Sequence, residues 1–203
     1  MAFRVHEIFD SVQFEGAQHG RPTRFIRLHG CNLSCGFCDT PQENVPWIPL
    51  SEDMLREVIN EGVAEVGFVV ITGGEPTLQP LERVLSAGST CVAIETNGTN
   101  YERLKLLKER GVWLTFSPKP VKGWETLYNG VWSLADEIKI IWGCVPNAFI
   151  DTAEKLVGEN TLLFVQAAWD ENNEEIVPGI QDFVKGNRRW RISVQTHKLL
   201  GMK

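Results

Sequence analysis

The chain reads as an α/β protein on a parallel sheet, an incomplete (β/α)6-type barrel with reduced helices. Three observations predict it. Short apolar runs alternate along the chain with segments of helical period, and repeated strand–helix alternation makes right-handed βαβ units and hence a parallel sheet. Several runs, such as Phe68-Val69-Val70-Ile71, are apolar at consecutive positions, as strands covered on both faces are. The helical segments are few and short, so an eight-fold barrel of about 250 residues does not fit. No low-complexity run, long linker or internal repeat divides residues 1–203, and 203 residues suit one domain with a sizeable core.

Strands are predicted over residues 23–29, 67–72, 91–96, 113–116, 137–142, 162–167 and 190–195. Helices are predicted between them. Ser51 caps the first, over 52–60, and Gly62 stops it. The others run over 81–87 to Gly88, 101–110 to Gly111, 148–156 to near Gly158, and 178–185 to Gly186. Function in such sheets gathers at the carboxyl ends of the strands. Polar clusters fall at those ends: the cysteine run after 23–29, Thr72-Gly73-Gly74-Glu75-Pro76, Glu95-Thr96-Asn97-Gly98, Ser117-Pro118-Lys119-Pro120, then Gln166 and Gln195.

Bulk properties exclude several classes. Twenty basic against 26 acidic residues, net charge −6, argue against nucleic acid held by bulk electrostatics. The longest apolar run is too short to span a bilayer, and the first residues lack the apolar stretch of a secretory signal. Five cysteines, three of them clustered, argue against a disulfide framework and for a reducing, cytoplasmic setting. Cys91 and Cys144, in apolar surroundings, read as small core residues.

Cys31, Cys35 and Cys38 are spaced C-x3-C-x2-C with no fourth ligand nearby. Structural zinc takes four protein ligands, and an electron-transfer cubane takes four cysteines. Three thiols leave one iron open, where a small molecule can bind and react. The alternative is a zinc knuckle with a distant fourth ligand. In the Thr72–Pro76 motif, two glycines let backbone approach a ligand without a Cβ in the way, and Glu75 can accept from an ammonium group; a plain strand-end turn is the bland reading.

Together, C-x3-C-x2-C after a strand, Phe37 before the third cysteine, and Gly73-Gly74-Glu75-Pro76 after the next strand resemble the radical S-adenosylmethionine superfamily. That resemblance implies a radical SAM core with a 4Fe–4S cluster whose open iron is chelated by S-adenosylmethionine, which the reduced cluster splits to a 5′-deoxyadenosyl radical. A narrower resemblance, to the 7-carboxy-7-deazaguanine synthases, runs nearly end to end. It rests on residues 8–16, 22–28, 30–35, 38–40, 71–76, 95–99 and 117–119, and on Trp190-Arg191-Ile192-Ser193-Val194-Gln195-Thr196-His197-Lys198. One departure is Phe14, where that family usually has glycine.

The resemblance implies conversion of 6-carboxy-5,6,7,8-tetrahydropterin to 7-carboxy-7-deazaguanine and ammonia by radical ring contraction, a C–N lyase reaction of queuosine and 7-deazapurine biosynthesis. It implies Cys31, Cys35 and Cys38 as cluster ligands and Thr40 as a magnesium ligand, with Asp39 close by. S-adenosylmethionine then meets Phe37, Cys38, Asp39, Gly74, Glu75, Asn97, Ser117, Pro118 and Lys119. The substrate meets Val12, Gln13, Phe14, Glu15, Arg27, Thr72, His197 and Lys203. Arg27 offers a fixed fork to the substrate carboxylate. A flavodoxin-type reductant, a homodimer and no membrane or nucleic-acid partner complete the expectation. Residue type alone also allows bland roles: surface for Arg27 and His197, a turn before Pro41 for Thr40, a solvated charge for Lys119. A glycyl-radical-enzyme activase shares the cysteine spacing, but Glu15-Gly16, Arg27 and the 195–198 tail argue against it.

Overall fold

The computed structural model describes residues 2–38, 42, 45–168 and 173–202. Nine strands form one sheet: β1 (Ala2–Val12), β2 (Pro22–Leu28), β3 (Ile48–Ser51), β4 (Val69–Gly73), β5 (Val92–Thr96), β6 (Trp113–Phe116), β7 (Glu137–Trp142), β8 (Leu162–Ala167) and β9 (Trp190–Ser193). Their order is β3-β1-β2-β4-β5-β6-β7-β8-β9. From β2 through β9 the neighbours are parallel, while β1 runs antiparallel to both β2 and β3. Among the described residues no ladder joins β9 to β3, so the barrel is incomplete, as expected. Its parallel strands number seven rather than six.

All seven predicted strands are present; β1 and β3 are additions. β1 buries Phe3 and Val5 on alternate positions, a period-two signal that a search for continuous apolar runs overlooks. β3 is a four-residue margin strand containing Pro49, which a margin tolerates because its N–H side needs no partner.

The two faces of the sheet do different work. Ile26, Ile71, Ile94, Leu114, Ile138 and Leu163 point outward into the main core, all at most 1% exposed. The helices that cover this face are α1 (Glu52–Glu65), α2 (Tyr101–Glu109), α3 (Trp124–Leu127), α4 (Val131–Leu134), α5 (Ala148–Leu156) and α6 (Asn173–Gly186). α7 (Thr196–Leu200) follows β9. On the inner face, Phe68, Val70 and Ala93 make a small plug with Phe25, Cys91 and Trp113 against it. Above the plug the inner face turns polar. Arg27 lies beside Thr72, Glu95 beside Thr115, and Thr115 beside Glu137.

Helix boundaries follow local chemistry. Ser51 caps α1 by accepting from the Met54 amide at 3.2 Å. Gly62 does not stop α1; it lies inside it. A Cβ there would sit 2.8 Å from Arg24 Cδ and from Val69 Cγ2, so this glycine permits close helix–sheet packing. The turn after α1 falls instead at Gly67, whose φ is +92°. The helix predicted over 81–87 shrinks to one 3-10 turn, Leu81–Arg83. Pro76 and Pro80 break the preceding segment, and Leu81, Val84 and Leu85 reach the core without a full helix. α6 starts before the predicted boundary and carries Pro178 within it.

The loop between β1 and β2 spans the side that the sheet leaves open. Gly16 N donates to Ser193 Oγ at 3.0 Å, and Ala17 N donates to Glu137 Oε2 at 3.1 Å. A Cβ on Gly16 (φ +62°) would meet Glu137 Oε1 at 2.0 Å. The β1–β2 loop is thereby joined to β7 and to β9, the margin strand at the far end of the sheet.

Candidate active site

A cavity of roughly 1080 Å³ opens on the inner face at the carboxyl ends of the strands. The cysteine loop follows β2 through Gly30, whose φ is +98°. Cys31, Cys35 and Cys38 all line the cavity. Burial pushes the Cys31 and Cys35 thiols up, and each is raised further by the nearby thiols. Cys31 Sγ accepts from the Leu33 amide at 3.4 Å.

The glycine pair after β4 backs this loop. Gly74 N donates to Leu28 O, and Glu75 N to Gly30 O at 2.8 Å. A Cβ on Gly74 would lie 2.0 Å from Gly30 O, and one on Gly73 (φ +113°) 2.3 Å from Leu28 O. These glycines are required first by contact between two stretches of the chain itself. Gly74 also faces the cavity.

Glu75 is 1% exposed, and its carboxylate accepts from Thr77 N, Thr77 Oγ1, Thr96 Oγ1 and Asn97 N. It is therefore committed to tying the ends of β4 and β5 together, and it does not line the cavity. Asn97 does line it. The Asn97 Oδ1 accepts from Thr99 N and Oγ1, while Nδ2 donates to Asn32 Oδ1 at 3.1 Å and reaches Cys31 Sγ at 3.9 Å.

Ser117 and Lys119 line the cavity from the end of β6, with Pro118 buried behind them. The Lys119 ammonium donates to Ser117 O at 2.9 Å and Oγ at 2.7 Å. Burial pulls it down to about 8, helped by repulsion from Lys139 and opposed by attraction to Cys35 and Glu75. Tyr128 braces this turn, accepting from Lys119 N at 3.2 Å and donating to Lys119 O at 3.0 Å.

Opposite lies a charged wall centred on Lys139, whose side chain is 8% exposed. It donates to Glu15 and lies 3.8 Å from Glu95. Burial alone would push Glu15 up, but Lys139 and a hydrogen bond from Gln195 overcome it and hold the carboxyl at about 2. Burial likewise works against the Lys139 charge, yet Glu15 and Glu95 keep it well above the usual lysine range. Glu95 also accepts from Thr72 Oγ1 at 2.8 Å and Gln13 Nε2 at 3.3 Å. Glu137, 3% exposed, is raised by burial to about 7, against the attraction of Lys139 and its bond from Ala17.

Arg27 lines the cavity with its guanidinium 2.9 Å from Glu7 Oε1 and 5.4 Å over the Phe9 ring. Val12, Gln13, Phe14, Glu15, Phe37, Thr72 and His197 face the same space. The Phe14 ring lies 6.2 Å from His19 and 6.2 Å from His197, joining the β1–β2 loop to α7. Asp39, Thr40 and Lys203 lie outside the described residues. Of the two other cysteines, Cys91 packs on the inner plug as expected, whereas Cys144 lines the cavity rather than the core.

Sequence reasoning did not single out Lys139 and left Glu95, Gln166 and Gln195 without roles; all four line the cavity. The signal for Lys139 was a charge between Ile138 and Ile140, alternating in step with Glu137. A cation in an apolar parallel strand points into a polar barrel interior.

The donor set suits a cubane. No three His, Cys, Asp or Glu side chains among the described residues converge on a point that would hold a single metal ion. A cubane instead takes one thiolate on each of separate iron corners, and three thiols on one loop, facing a roomy cavity, can supply three corners. Comparison with known proteins agrees. The profile of the Radical SAM superfamily matches residues 25–120. The fold and the three-thiol loop define a radical S-adenosylmethionine enzyme, a class that carries a 4Fe–4S cluster and S-adenosylmethionine. The 7-carboxy-7-deazaguanine synthase of Synechocystis sp. is 34% identical over 212 residues, covering 100% of this chain and 95% of the relative. That of Bacteroides thetaiotaomicron is 34% identical over 207 residues, covering 100% of both. The chain belongs to the 7-carboxy-7-deazaguanine synthase family. The crystal structure of QueE from Escherichia coli shares the fold, with a TM-score of 0.72 and 24% identity over 96% of this chain and 94% of that one. No helix among the described residues is long and apolar enough to cross a membrane.

Proposed function

We propose that the cavity converts 6-carboxy-5,6,7,8-tetrahydropterin to 7-carboxy-7-deazaguanine and ammonia, a radical ring contraction in queuosine biosynthesis. The observation that carries this reading is a single cavity with three thiols at one side and, at the other, an arginine fork beside a paired-carboxylate wall. When bound, the cluster and S-adenosylmethionine supply a 5′-deoxyadenosyl radical, with a flavodoxin-type protein as electron source. The chain's own residues then bind, orient and exclude water. Cys31, Cys35 and Cys38 hold the cluster. Phe37, Cys38, Gly74, Ser117 and Lys119 cradle S-adenosylmethionine, with Asp39 beyond the described residues in the same role. Glu75 and Pro118 act behind that surface, fixing the loops that form it, while Asn97 is part of the wall beside the cluster loop.

Arg27 takes the substrate carboxylate. Its bond to Glu7 keeps the fork aimed, and its partial exposure lets it exchange partners. Gln13, Glu15 and Thr72, with Val12 and Phe14, meet the flat bicycle, and Glu15 accepts from N–H groups of its pyrimidine edge. His197, held by Phe14, closes the cavity, and Lys203 lies beyond the described residues. Magnesium enters this reading only through Thr40, also beyond them. A homodimer in the cytoplasm, each subunit one domain over residues 1–203, completes the proposal.

An anaerobic assay tests it: reconstituted protein, the carboxylated tetrahydropterin, S-adenosylmethionine, dithionite, and magnesium present or omitted. Deazapurine ultraviolet absorbance appearing without a protein partner is expected. Reductive cleavage of S-adenosylmethionine with no deazapurine would reject the substrate.

A further inference from the structure

Asn97 stands in an unusual position for a polar side chain on a cavity wall. It is 7% exposed, and both polar atoms of its side chain have protein partners. Its amide orientation is fixed by its neighbours. Thr99 N at 3.0 Å and Thr99 Oγ1 at 2.8 Å both donate to one side-chain atom, which must be the oxygen. The nitrogen therefore faces the other way, toward Asn32 Oδ1 at 3.1 Å and Cys31 Sγ at 3.9 Å. Asn32 is in turn held by Thr99 Oγ1 at 2.8 Å. The backbone is anchored as well, because Asn97 N donates to the buried Glu75 carboxylate at 2.7 Å. One N–H of the amide is satisfied by Asn32, and the second points at sulfur.

We propose that Asn97 tunes the cluster by donating an N–H···S hydrogen bond to the Cys31 thiolate. This rests on the reading of Cys31 as a cluster ligand. Hydrogen bonds to cluster sulfur stabilise the more electron-rich reduced state and raise its potential. The Leu33 amide, 3.4 Å from the same sulfur, and the Asn32 amide also donate to it, so the Asn97 amide adds a side-chain N–H to backbone donors. Electron density is drawn toward the Cys31 corner, and the cluster becomes easier for its reductant to charge. The chain from Glu75 through Asn97 to Cys31 also links the glycine loop after β4 to the cluster loop after β2. The role of Asn97 is electronic and positioning; it need not touch either small molecule.

The test is the midpoint potential of the reconstituted cluster without S-adenosylmethionine, read by EPR of anaerobically poised samples. Asn97→Ala should retain full cluster iron and shift the potential to a more negative value. Asn97→Asp keeps the shape and the Thr99 bonds but replaces the donor with an acceptor, so its potential should be more negative still. Either variant holding a full cluster at the potential of the unsubstituted protein would overturn the proposal. The unsubstituted protein gives an independent reading should both variants lose the cluster. Labelled with 15N at the asparagine side-chain amide, its reduced cluster should show a weak nitrogen coupling in pulsed EPR; no coupling would overturn the proposal. If the unsubstituted protein assembles no cubane, the ligand assignment of Cys31 itself falls, a result distinct from an intact cluster with an unmoved potential.

Discussion

At Arg27 a guanidinium is held by one carboxylate and leans toward an aromatic ring, which leaves its remaining N–H groups for an anion. A hydrogen bond to a charged partner contributes about 1.5–3 kcal/mol. Arg27→Ala should therefore raise the substrate KM by roughly 10- to 100-fold while uncoupled cleavage of S-adenosylmethionine persists; an unchanged KM in steady-state assays would remove Arg27 from the site. Lys139 acts differently, since its partners are buried with it. Lys139→Met leaves Glu15 buried without its cation, and breaking such a pair from one side costs about 3–5 kcal/mol. Denaturant unfolding should show that loss, and adding Glu15→Gln should restore much of it. Arg27 and the three thiols all line the cavity, and all four were singled out in sequence, the thiols by their spacing and Arg27 by resemblance. Lys139 was not, because sequence shows a charge without showing which face of a strand is polar. Glu75 was misjudged in the other direction: its type suits an ammonium, but its four donors come from the loops it ties.

The strands and helices show the same division. Consecutive apolar residues in β4 and β8 announced parallel strands, since both of their faces are buried. β1 escaped because its pattern alternates and its partners are antiparallel. Gly62 was read as a helix stop because glycine is poor inside helices, yet packing against β2 and β4 decides the matter. Gly62→Ala should accordingly destabilise the protein by about 1–3 kcal/mol despite alanine's better helix propensity, because its Cβ would crowd Arg24 and Val69. A rise in Tm for this variant would show that α1 can shift away at little cost. The helix expected over 81–87 failed for a related reason: apolar spacing marks what is buried, not whether the backbone completes its turns.

For the whole molecule, the sign of its pH response follows from Glu137. Its carboxyl lies at about 7 in the native state against an ordinary value of 4.5, because burial favours the neutral form. The unfolded chain releases this proton first, so stability from this group is complete below about 4.5 and declines as pH rises toward 7. Glu15, held at about 2, contributes in the opposite sense, and its share is lost only as pH falls below its ordinary value of 4.5. Between the two, Glu137 sets the slope. Glu137→Gln should flatten the fall in Tm across that interval, and an unaltered slope in calorimetry would exclude Glu137 as its source. Glu137 also meets the loop that bridges the open side of the barrel, and there Glu15 meets Gln195, Gly16 meets Ser193, and Phe14 meets His197. Those contacts have a consequence for biogenesis. A nascent chain on the ribosome can lay down its early strands long before it holds a finished reaction chamber. The chamber wall is sealed only when residues 193–197 emerge from the exit tunnel and reach segments synthesised near the start, so premature termination before that point yields a polypeptide with thiols for metal and no enclosed place for chemistry.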